Sequence, residues 1–137
     1  MTATLLMSLS AAIVLMLGVL HLVYTFSGRM FTPRDPTLQV SMQQISPVIT
    51  KRTTMWRAWI GFNFSHSMGA ILFGLIYGFL AIVHSELLFG SPFLLLVGLA
   101  TLGGLAALGK LYWFRIPLAW ISISLVCYLV SIALSWA

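Results

Sequence analysis

Four long apolar runs decide what this chain can fold into. Residues 4–26 and 60–83 carry no formal charge, residues 92–108 are uncharged but shorter, and residues 116–136 form the last run. A helix crosses the hydrocarbon core with roughly 20 apolar residues, and about 17 is the lower limit. The third run meets that limit and can extend into Tyr112 and Trp113. Helix is the only workable choice, because each span must satisfy its own backbone and four isolated strands could not close a barrel. Composition agrees, with 7% charged residues against about 25% in a soluble domain. Too few polar groups remain to cover a water-facing surface, so lipid is the solvent for most of the chain. The expected fold class is therefore all-α: one domain over residues 1–137, a four-transmembrane-helix bundle with helices at about 4–28, 55–83, 92–113 and 116–136. The first run has no basic residue ahead of it and is longer than the apolar stretch of a signal peptide, so it reads as a retained helix.

Charge placement orients the bundle. Arg29, Arg34, Lys51, Arg52 and Arg57 lie between runs one and two, and Lys110 and Arg115 lie between runs three and four. The connection between runs two and three has no Lys or Arg. Basic residues of short loops stay cytoplasmic, so both termini are expected outside. The long first loop has a helix of its own: Asp35 caps it, Pro36 starts it, and Leu38, Met42 and Ile45 form a one-sided apolar stripe. Such a helix suits the headgroup plane. Ser46-Pro47 ends it, and the same pair could start the second membrane helix well before Trp56. Ser91-Pro92 starts the third. The lone cysteine, Cys127, excludes an internal disulfide and reads as a small buried hydrophobe. Gly61, Ser65 and Gly69, then Gly74 and Gly78, then Ala100, Gly103 and Ala107 form small-residue faces that let helices approach closely in lipid.

Polar side chains inside the spans mark a candidate site. His21, Tyr24 and Thr25 share a face of the first helix, and Asn63, His66 and Ser67 share a face of the second, each at i, i+3 and i+4. Counted from Arg29, His21 lies about 12 Å deep; counted from Arg57, His66 lies about 13.5 Å deep. Antiparallel helices would thus hold both imidazoles at one level. One use is to tie the helices together by hydrogen bonds. Another is a pocket for a lipid headgroup or a small amphiphilic or anionic ligand, built from His21, Tyr24, Thr25, Asn63, His66 and Ser67, with Arg57, Lys110 and Arg115 attracting negative charge from the cytoplasmic rim. A third is haem held by His21 and His66. Two histidines without a nearby carboxylate or thiolate make a poor zinc site. His84, beside Ser85 and Glu86, reads as interfacial.

The stretches "HLVYTF", "PRDPTLQ", "SPVIT", "TMWRAWIGFNFSHSMG" and "LLFGSPFLL" together resemble a family of short bacterial four-helix integral membrane proteins with no assigned activity, over nearly the whole chain. That resemblance implies a bacterial plasma membrane. In topology, and in the "RAW…N" stretch of Arg57, Ala58 and Asn63, the chain is also similar to the glutathione-using membrane enzymes of eicosanoid metabolism. The likeness implies a basic, cytoplasm-facing glutathione pocket. That family's acidic residues on helix two are absent here and its Arg-to-Asn spacing differs, so no catalytic residue carries over.

Several activities are disfavoured. No carboxylate lies in any span, so ion-coupled transport lacks its usual relay, and no proline breaks a helix in mid-membrane. Phosphate loops, nucleophile elbows and CxxC pairs are missing. The basic residues belong to membrane loops, which speaks against nucleic acid. The expected function is a binding or accessory protein of the membrane. Its partners would be membrane lipids, further copies of the chain or a larger complex; a membrane enzyme and a haem protein are the alternatives.

Overall fold

A computed structural model describes residues 1–136 of the chain; Ala137, the last residue of the expected domain, lies outside them. Six helices follow in order: α1 (Thr2–Phe26), α2 (Pro36–Gln44), α3 (Met55–Val83), α4 (Ser85–Gly90), α5 (Pro92–Tyr112) and α6 (Arg115–Ser135). No strand occurs among the described residues. α1, α3, α5 and α6 are long and apolar enough to cross a membrane. In their most apolar windows only 22–33% of residues are buried in the protein. The rest, including Ile82, Phe93 and Leu96 at 72%, 72% and 64% exposure, need another apolar medium. The chain is thus a multi-pass membrane protein.

The described residues form two compact units, 1–17 with 70–136 and 18–69. In the first, Met7, Ala11, Val14, Phe73, Tyr77, Leu95, Leu102 and Tyr128 make a continuous apolar core. Side-chain oxygens stitch that core to backbone. The Ser124 hydroxyl donates to the Ser10 carbonyl (3.0 Å), so the hydroxyl proton between the two serines (2.8 Å) comes from Ser10. Ser131 donates to the Ala3 carbonyl at 2.7 Å, Tyr128 to Leu95 at 2.8 Å and Tyr77 to Leu94 at 2.6 Å. Ser124, Tyr128 and Ser131 stand at i, i+4 and i+7 on α6, which gives one polar seam on an otherwise apolar helix. Gly98 makes room for it. A Cβ there would run into the Tyr128 hydroxyl, and would lie 2.7 Å from its Cζ and 2.8 Å from Tyr77 Cε1.

Within residues 18–69 the ends of helices follow local chemistry. The Ser27 N–H closes the last turn of α1 on the Val23 carbonyl (2.7 Å), and Gly28 then takes φ +93°, a left-handed conformation that stops the helix. α1 therefore ends two residues before the expected 28. Asp35 caps α2 as its position implies, accepting from the Thr37 N–H at 2.8 Å and the Thr37 hydroxyl at 2.7 Å. Ile45, expected on the apolar stripe, lies past the end of α2 with extended backbone (φ −91°, ψ 132°). An early start of the second membrane helix at Ser46-Pro47 is also corrected. That pair opens a turn closed by Thr50 N–H to the Pro47 carbonyl (3.2 Å), and Thr54 caps α3 instead, accepting from the Arg57 N–H at 3.3 Å. The Met55 N–H reaches back to the Ile45 carbonyl (2.8 Å), pinning the loop between α2 and α3 at its base. In the first unit, Ser91 caps α5, taking the Leu94 N–H at 3.4 Å. α4, six residues long, has no counterpart in the sequence expectations.

Candidate functional site

The chemistry of residues 18–69 starts at Asn63, which is 4% exposed. Its Nδ2 donates to the Trp59 carbonyl one turn earlier (2.8 Å), and this fixes which end of the amide is oxygen. Oδ1 then faces His21 Nε2 at 3.0 Å. An amide oxygen can only accept, so His21 carries a proton on Nε2. The ring of His66 stands edge-on to the ring of His21, with centroids 4.9 Å apart. Phe62 stacks on the other histidine, parallel to His66 within 11° at 6.5 Å. The level match inferred from sequence thus places two imidazoles and an amide side by side, on the last turns of α1 and the first turns of α3.

The remaining expected residues divide. Thr25 folds its hydroxyl back onto the His21 carbonyl (2.7 Å), and Ser67 does the same to Asn63 (2.9 Å). Both are buried, and their hydroxyls bond their own helix turns. Tyr24 is 40% exposed, its ring 6.5 Å from Phe31. Arg57 is exposed at the start of α3, where its N–H serves the Thr54 cap. It does not join the His21–Asn63–His66 cluster. His84 lies in the other unit at the start of α4, its ring 5.4 Å from Phe79.

A residue without any periodic signal completes the arrangement. Phe31 comes from the loop after α1, and its ring covers His21 at 4.5 Å. Trp59 holds it there by donating Nε1–H to the Phe31 carbonyl at 3.0 Å. Beside this plug opens a cleft of about 220 Å³, lined by Tyr24, Thr25, Phe31, Gln39 and Trp56 among others. Gln39 reaches it from α2 and Trp56 from the first turn of α3. Nothing in the sequence ties Phe31 or Gln39 to Trp56 and Trp59.

Haem does not fit this cluster. Two axial imidazoles must face each other across a porphyrin plane, whereas here the rings touch edge to face, Phe31 covers His21, and His21 Nε2 is committed to Asn63. No family model matches the chain, nor does any curated protein or solved structure. The two resemblances noted from sequence rest on the quoted stretches alone.

Proposed function

We propose that this is a membrane binding protein whose residues 18–69 hold the head of an amphiphile at the cytoplasmic face of a bacterial plasma membrane. Both termini would lie outside, and the basic loops holding Arg29, Arg34, Lys51, Arg52, Arg57, Lys110 and Arg115 would lie inside. The positive-inside bias supports that orientation. α2 would rest in the headgroup plane, which suits the 51% exposure of Leu38 on its apolar stripe.

The observation that carries the proposal is the cleft beside the His21–Asn63–His66 cluster. Its volume, about 220 Å³, is below the roughly 300–1,000 Å³ typical of pockets for whole drug-sized ligands. It suits one headgroup whose tail stays in lipid, and is too small to enclose a tripeptide thiol. Asn63, part of the stretch behind the likeness to glutathione-using enzymes, has both ends of its amide engaged with His21 and Trp59. The polar cluster stands beside the cleft and ties α1 to α3 through the His21–Asn63 bond, while Trp59 holds Phe31 in place.

Native mass spectrometry after gentle detergent extraction tests this. Wild-type protein should retain a discrete amphiphile, and Trp56→Ala should release it while the protein stays folded. Equal retention by both proteins would overturn the proposal.

A further inference from the structure

The lining of the cleft says what kind of head it takes. Of the residues around it, including Gln39, Trp56, Tyr24, Thr25 and Thr32, none bears a charge. This is unexpected in a segment holding five of the seven basic residues of the chain. The donors on offer are the Tyr24 hydroxyl, the Gln39 amide and the Trp56 indole N–H, and none of the three has a hydrogen-bond partner among the described residues. The threonine hydroxyls are already donating, Thr25 to the His21 carbonyl and Thr32 to the Arg29 carbonyl, so toward the cleft their oxygens can only accept. Around them stand the rings of Phe31, Trp56 and Tyr24. A phosphate seated in such a lining would trade part of its water for uncharged groups and meet no cation among them, an unfavourable exchange for a charge. An uncharged head with hydroxyl or carbonyl oxygens loses far less, and it matches three donors and two acceptors beside aromatic faces.

From this chemistry we infer that the ligand is a neutral amphiphile with an oxygen-rich head, either a sugar or polyol lipid or a glyceride. The basic side chains outside the cleft would then meet the phosphates of surrounding lipids and leave the cleft to the uncharged minority. This inference rests on the binding function proposed above and narrows it to one ligand class. It also replaces the anionic ligand that Arg57 suggested in the sequence.

The test is a competition on the purified full chain in mild detergent, with bound mass read by native mass spectrometry. The probes are a monoglucosyl diacylglycerol, a plain diacylglycerol and phosphatidylglycerol, each offered alone and in pairs. The variants are Tyr24→Phe and Gln39→Leu, which remove hydrogen-bonding groups at nearly constant volume, together with Trp56→Ala. At least one neutral probe should outcompete phosphatidylglycerol, and each conservative variant should weaken it about tenfold, the loss of one well-placed hydrogen bond. Comparison of the glucosyl and plain probes tells whether the sugar or the glycerol ester supplies the oxygens. Preference for phosphatidylglycerol that disappears in Trp56→Ala would overturn the neutral class and leave the site intact. No effect of any variant on any probe would overturn the site itself.

Discussion

Asn63 is the residue on which the cluster turns. It accepts from His21, donates to Trp59, and offers its carbonyl to Ser67. An interhelical hydrogen bond in lipid averages about 0.6 kcal/mol, but deleting a partner also strands the other group. Asn63→Ala should therefore destabilise the protein by about 1–2 kcal/mol, seen as a lower unfolding midpoint in detergent. Gly98 and Gly103 make a sharper comparison, since both lie in α5. A methyl on Gly98 collides with the Tyr128 ring, whereas one on Gly103 meets nothing within 4 Å. Gly98→Ala should cost about 1–3 kcal/mol as overpacking. Gly103→Ala should be neutral or slightly stabilising through helix propensity. Equal effects in the same unfolding assay would contradict the packing described around Tyr128.

Among the elements, what sequence could and could not reveal follows from the range of the signal. Hydropathy spans many residues, so the four long helices were legible to within about two residues. Caps are local and strong where one candidate exists, as at Asp35 and Ser91. They mislead where a Ser-Pro pair makes a turn instead, as at Ser46-Pro47, and Thr54 caps α3. Ile45 kept the right spacing but left the helix, because its N–H closes the final turn on Ser41 and its own backbone is extended. α4 is too short for any periodicity to show. His21 and His66 could be paired because each sits in a regular helix of countable depth. Phe31 could not, since a loop residue has no register; only the Trp59 bond fixes it. Asp35 supplies a test at this scale. The Thr37 hydroxyl and N–H hold its carboxyl below the usual range. Its stabilisation of α2 is therefore complete above the unfolded value, about pH 4, and is lost as pH falls through the lower folded value. The helical carbon shifts of residues 36–44 in NMR should decay over that acid window, and Asp35→Ala should show the weakened helix already at neutral pH.

At the scale of the whole molecule the first question is which side of the membrane the loops occupy. In a Cys127→Ala background, Leu87→Cys should react with a membrane-impermeant maleimide on intact bacterial spheroplasts. Val48→Cys, in the first loop and at 109% exposure, should react only after permeabilisation. The opposite pattern would invert the orientation and move the cleft outside. The central claim, that residues 18–69 seat an amphiphile head, is tested most directly by photocrosslinking in the native membrane. A benzophenone amino acid replaces Gln39 at the cleft, and in a control replaces Val130, 43% exposed on α6. Illumination followed by mass spectrometry of the tryptic peptides reads what each position touches. The expected result is one discrete amphiphile adduct at position 39, competed by added neutral lipid, against an unselective spread of bulk lipids at position 130. The same unselective spread at both positions would contradict the claim.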